Sequence, residues 1–188
     1  MEREQLPRQR LVNAMKEGRF KTALLQLDQL QHAESLPENR EWLVTRAELL
    51  DRTGRTREAT RALRSLERSK DLPGCLQIRC ELVKGRVSKR LGHLEDAAAA
   101  FKKALRQAEE SGNVELHCWA QLRLMKLLTE LEGPDAADRF RTDLQRQIVH
   151  VGSVEVAHAY DSISLSSVQD ADGQRRGTGH RLTIPSKE

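Results

Sequence analysis

The stretch Gly85-Arg-Val-Ser88-Lys-Arg-Leu-Gly92-His-Leu-Glu-Asp-Ala97-Ala-Ala-Ala-Phe101-Lys-Lys-Ala104-Leu105 decides the fold. Leu76, Val83, Val87 and Leu91 recur at helical spacing up to Gly92, so a helix runs into the glycine. Gly92 then stops it, because glycine alone takes the left-handed conformation at a helix end without steric penalty. Beyond the turn, Ala100, Phe101, Ala104 and Leu105 form the apolar stripe of a second helix. The small Ala97, five residues after the glycine, lies where that second helix must come close to the first.

The same punctuation occurs twice more, as Gly18-Arg-Phe-Lys-Thr-Ala23 and Gly54-Arg-Thr-Arg-Glu-Ala59. Gly18 and Gly54 are 36 positions apart and Gly54 and Gly92 are 38 apart, which defines a repeat. Leu24, Leu27 and Leu30 follow the first glycine, and Ala62, Leu63 and Leu66 the second; Leu43, Ala47 and Leu50 precede the second. Two amphipathic helices joined by a tight turn cannot bury both stripes by themselves, so neighbouring pairs must stack. A fourth, degenerate unit reads from Trp119, Leu122 and Met125 into Gly133-Pro-Asp-Ala-Ala137, which has one residue fewer between glycine and alanine. Pro37, Asp71-Leu-Pro73-Gly74 and Ser111-Gly-Asn113 mark the joints between units, and Pro134 suits the first turn of a helix.

On these residues the chain resembles the tetratricopeptide repeat family, bacterial members included. The likeness is clearest where Gly85 and Ser88 precede Gly92-His-Leu, Ala97, Phe101 and Ala104; Leu27 and Leu63 stand where the family usually has an aromatic. The resemblance spans residues 4–150 and implies an all-α solenoid of helix-turn-helix repeats in a right-handed superhelix, whose first helices line a concave groove. It implies a binding scaffold and no chemistry. Residues 153–163 read as a capping helix with Val154, Ala157 and Tyr160 inward, and residues 164–188 as a disordered tail. Half a unit at the end leaves two options, a cap or one piece of a longer protein.

Composition fits this reading. Of 188 residues 38% are hydrophobic but only 3% aromatic, so a core must be built from Leu, Ala and Val, residues that suit packed helices better than a β-sandwich. The 32 Lys and Arg against 28 Asp and Glu give a net charge of +4, a surplus that solvated helix faces produce readily. No long apolar run and no signal-like segment occurs, so a cytoplasmic protein is expected. Cys75, Cys80 and Cys118 form no CxxC pair, so three reduced, largely buried thiols are expected. The six histidines are scattered without ligand or triad spacing, and no phosphate-cradling glycine loop is present. No catalytic residue, cofactor or metal is therefore expected.

The candidate binding residues lie on the first helices. Arg79, Arg86 and Arg90 share a face at i, i+7 and i+11, with Lys89 beside them; Arg123 and Lys126 extend the basic character into the fourth unit. Glu41, Glu48 and Asp51 occupy the corresponding stripe of the second unit, so the groove is expected to be acidic in one part and basic in the next. Guanidinium forks suit carboxylates and phosphates. The expected partner is a peptide or helix of another protein, acidic in the basic part of the groove, and a stripe on such a face should touch little core. Val12 and Thr45 fall where the family's clamp for chaperone tails needs Asn, so that activity is not implied. A sensory module of a transcription or signalling system is the second reading, and weak nucleic-acid binding through the arginines the third.

Overall fold

The computed structural model describes residues 2–34, 40–68, 72–133, 135–153, 156, 157, 159 and 160. Among these residues there are eight long helices and no strand: α1 (Glu2–Lys16), α2 (Phe20–Glu34), α3 (Arg40–Arg52), α4 (Thr56–Glu67), α5 (Gly74–Arg90), α6 (Leu94–Glu110), α7 (Val114–Glu132) and α8 (Asp135–Val151). The all-α expectation holds. No described helix is long and apolar enough to cross a membrane. The chain divides into two compact units, Met1–Leu124 and Met125–Glu188.

In the first unit α1 packs on α2, α3 on α4 and α5 on α6, and these pairs meet through α2 with α3, α3 with α5 and α4 with α5. The turn that closes each pair follows from the glycine. At Gly92 φ is +82°, Gly92 N–H donates to the Lys89 carbonyl at 3.0 Å, and His93 N–H donates to the Ser88 carbonyl at 2.9 Å. Two carbonyls that the end of α5 leaves without helical partners are thereby satisfied, and only a residue without Cβ enters this geometry freely. Gly18 and Gly54 close α1 and α3 with the same pair of bonds. So does Gly112 at the end of α6, after which the Asn113 side chain accepts the Leu116 N–H at 3.0 Å as a cap for α7.

Past each glycine the predicted small residue is fully enclosed: Ala23, Ala59 and Ala97 are all buried. Gly85 explains a close approach of α5 and α6. A Cβ placed on it would lie 2.3 Å from a ring carbon of Phe101, so α5 and α6 touch where one side chain is missing and the other is large. Leu11, Leu24, Leu27, Val44, Leu50, Leu63, Leu66 and Val83 continue the core along the unit. Leu91 departs from the expected stripe: it is half exposed, because it caps α5 where the chain already turns away.

In the second unit Leu127, Leu128, Leu144 and Ile148 are buried. After Gly152, residues 156, 157, 159 and 160 are helical, with Val156 and Tyr160 buried and Ala157 half-buried. Val154 lies outside the described residues, as do the rest of the expected cap and the tail from 164. Pro37, Asp71 and Pro134 also lie outside them. The cysteines differ from expectation: Cys118 is buried and Cys80 half-buried, but Cys75, in the first turn of α5, is exposed.

Candidate binding face

The acidic and basic stripes foreseen as separate parts of a groove are brought together, since α3 and α5 lie side by side. Arg79 donates from Nε and Nη2 to the two carboxylate oxygens of Glu48, at 2.9 and 2.7 Å, and Nη2 also donates to Thr45 Oγ1 at 3.1 Å. This is the fork-to-fork geometry that guanidinium favours. Burial tends to lower the Arg79 pKa, but the Glu48 hydrogen bonds and charge outweigh it and hold the pKa above the usual arginine value.

Three residues further along α3, about 4.5 Å by the rise of about 1.5 Å per residue, the pattern tightens around Asp51. Its side chain is 1% exposed. Arg86 Nε donates to Asp51 Oδ2 at 2.5 Å and Arg90 Nη1 donates to Oδ1 at 2.8 Å, so one enclosed carboxylate is shared by two guanidiniums. Arg90 Nη1 also donates to the Asp51 backbone carbonyl at 2.6 Å. The expectation that the basic stripe touches little core is thus corrected: Arg86 and Arg90 neutralise a charge that would otherwise be buried alone, a strongly unfavourable arrangement.

Two further arginines share this neighbourhood without sharing the carboxylate. Arg52 lies over the Phe20 ring at 5.2 Å and Arg123 over the Trp119 ring at 5.6 Å. Neither has a hydrogen bond or ion pair among the described residues. Burial, then the like charges of Arg86 and Arg52, push the Arg123 pKa down to about 10, with Asp51 opposing only in part. Burial and Arg86 likewise lower the pKa of Arg52.

A different surface lies on α1 and the first half of α3. Leu11, Val12, Met15 and Trp42 form an apolar pocket whose rim carries Arg8, Glu41, Thr45 and Arg79. Arg8 stacks over the Trp42 ring at 5.9 Å. Val12 remains 42% exposed and Trp42 is only half-buried, so the apolar lining is open to solvent.

Of the residues singled out in the sequence, Arg79, Arg86, Arg90, Glu48 and Asp51 meet in one network and Arg123 lies beside it. Glu41 is exposed on the pocket rim and Lys89 is half-buried near the end of α5. Lys126 is exposed on the part of α7 that belongs to the second unit. The sequence reading did not include Arg52 or Trp42 in the candidate face, and it named Val12 only as a position where the family's clamp needs Asn. Arg52 carried one signal, adjacency to Asp51, while Trp42 read only as one of few aromatics. No group of three or more potential metal ligands occurs among the described residues. Compared with known proteins, the chain matches no protein-family model and no curated sequence.

Proposed function

We propose that this chain is a non-catalytic scaffold that binds a peptide or helix of another protein on the face formed by α1, α3 and α5. In this reading the helix pairs of the first unit stack as tetratricopeptide-like repeats, with the right-handed superhelix that such stacking produces. The packing of α5 on both α3 and α4, and the identical closures at Gly18, Gly54 and Gly92, support that arrangement.

The observation that carries the reading is the open apolar pocket of Leu11, Val12, Met15 and Trp42 with charged groups around its rim. Apolar side chains that folding leaves exposed in one concavity are a site where a partner's side chain gains burial, and an aromatic in such a pocket is the usual energetic anchor. The rim supplies direction through its charges, with Arg8 on one side and Glu41 on the other, while Arg79 is held by Glu48.

The test is an array of twelve-residue peptides, each carrying one leucine within acidic flanks, probed with the full chain. Trp42→Ala should weaken capture of the selected peptides about tenfold or more, the effect of truncating an anchor worth over 1.4 kcal/mol. Val12→Asp, at an exposed position, should do the same with no loss of melting temperature. Affinities unchanged in both variants would remove this pocket from the reading.

A further inference from the structure

A second cavity, of about 230 Å³, lies inside the first unit between α4, α5 and α6, and it shares no lining residue with the pocket at Trp42. Its floor is apolar: Leu63 and Leu66 of α4 are buried, and Leu72, in the connection to α5, is half-buried. Its mouth is charged. Lys84 Nζ donates to Glu67 Oε1 at 3.0 Å and ties α5 to α4, while Lys103 Nζ donates to Glu81 Oε1 at 2.5 Å and ties α6 to α5. Both lysines and Glu67 are exposed, so the ion pairs stand on the solvent side of the leucines. One wall carries an uncharged polar pair. Gln77 Nε2 donates to the Leu72 carbonyl at 2.7 Å, which fixes that amide and leaves its oxygen to accept from Gln107 Nε2 at 3.4 Å.

We infer that this cavity binds one small uncharged molecule of about the size of indole, a flat apolar body that carries a single N–H or O–H donor. Size, charge and the polar wall each select this class. An apolar cavity of about 150 Å³ holds one benzene, so a cavity of about 230 Å³ accommodates a bicyclic ring against the three leucines. The two lysines and two glutamates cancel in pairs, so the mouth has no net charge, and a charged ligand would lose water without gaining a counter-ion. At 3.4 Å the bond from Gln107 to Gln77 is longer than a good N–H···O bond, so a ligand donor can take over the Gln77 oxygen and lose little. A ligand without a donor would cover that oxygen and leave it poorly satisfied.

Helix α5 carries its own reporter and control, since Cys80 lines the cavity while Cys75 is exposed outside it. The full chain is titrated at pH 8 with indole, 1-methylindole, benzylamine and benzoate. Binding is read by calorimetry and by the alkylation of both cysteines with iodoacetamide, followed by peptide mass spectrometry. Indole should slow Cys80 about tenfold when nine-tenths of the sites are filled and leave Cys75 unchanged. The other three probes, which lack the donor or carry a charge, should bind about threefold more weakly or worse. Leu72→Trp fills part of the cavity from a half-buried position and should abolish the protection of Cys80, with the melting transition showing that the chain is folded. Lys103→Gln leaves Glu81 without its cation and should improve benzylamine relative to indole about two- to fivefold, the range of a partly solvated pair. Trp42→Ala should leave the protection of Cys80 intact, which separates this site from the pocket proposed for a partner peptide. Failure of indole to protect Cys80, binding of any other probe as tight as that of indole, or protection that survives in Leu72→Trp overturns the site. A probe preference unchanged in Lys103→Gln, or protection lost in Trp42→Ala, does the same.

Discussion

Helix α5 has two unlike sides. Toward α6 it presents Gly85, and the contact depends on an atom that is absent, because Phe101 occupies the space a Cβ would need. Toward α3 it presents Arg79, Arg86 and Arg90, and the contact depends on charges that must find partners. The apolar seam is short-range in sequence and tolerates little change in volume. The polar seam joins residues 31, 35 and 39 positions apart and tolerates little change in charge. One helix therefore holds its neighbours by two mechanisms that fail differently.

The strongest way to break the polar side is to remove its enclosed carboxylate. Asp51→Ala leaves Arg86 and Arg90 facing each other without an anion, and the loss should be about 3 to 5 kcal/mol in a denaturant titration. A loss below about 1 kcal/mol would mean that solvent reaches the pair and that the seam is held by packing instead.

On the apolar side Gly85→Ala adds one methyl against a ring that is 1% exposed and cannot withdraw into solvent. The gain in helix propensity of about 1 kcal/mol works in the opposite direction. Overpacking in a filled core costs about 1 to 3 kcal/mol, so a net loss of up to about 2 kcal/mol is expected in the same titration. Greater stability than the parent would show that the crossing of α5 and α6 can widen without penalty.

The smallest effect concerns the two cysteines of α5, which sample its environments without altering either seam. Cys75 is exposed and should be alkylated first by iodoacetamide at pH 8. Burial, then the charge of Glu48, raises the Cys80 thiol from 9.0 to about 11, so its thiolate fraction is small and its labelling should lag. Because the native state holds this proton more tightly than the unfolded chain, the associated stability is complete below pH 9 and is lost as pH rises toward 11. Equal labelling rates measured by peptide mass spectrometry would contradict the burial of Cys80.

The two seams were also unequally legible in the sequence. Gly92, Ala97, Gly85 and Phe101 could be read because each acts within about twenty residues and each has a local reason, a turn or a close approach. The glycine periodicity extended that reading to Gly18 and Gly54. The stripe of Arg79, Arg86 and Arg90 was visible as well, but its meaning was not. Helical spacing places residues on one face without saying what stands opposite, and here the opposite wall is α3 with Glu48 and Asp51. Treated as two separate stripes, the charges looked free; folded together, most are consumed. Arg52 and Arg123 are the informative exceptions, since their having no ion pair among the described residues emerges only after the others have been matched. The exposed apolar pocket escaped for a related reason. Leu11 is buried while its neighbour Val12 is 42% exposed and Trp42 half-buried, and periodicity does not distinguish a side chain covered by a neighbour from one left at the rim.

The bond from Arg90 to the backbone carbonyl of Asp51 has a consequence for how the first unit opens. That same carbonyl accepts Gly54 N–H at 3.0 Å in the turn that closes α3, while Arg55 N–H bonds to the Leu50 carbonyl beside it. A side chain from the last turn of α5 is therefore fastened to the hinge of the preceding hairpin. The amide of Gly54 should not exchange with solvent by fraying of α3 alone, because the guanidinium holds its acceptor in place until α5 lets go. Its exchange should then follow that of α5, so that the smallest piece of the first unit that unfolds by itself is larger than one hairpin.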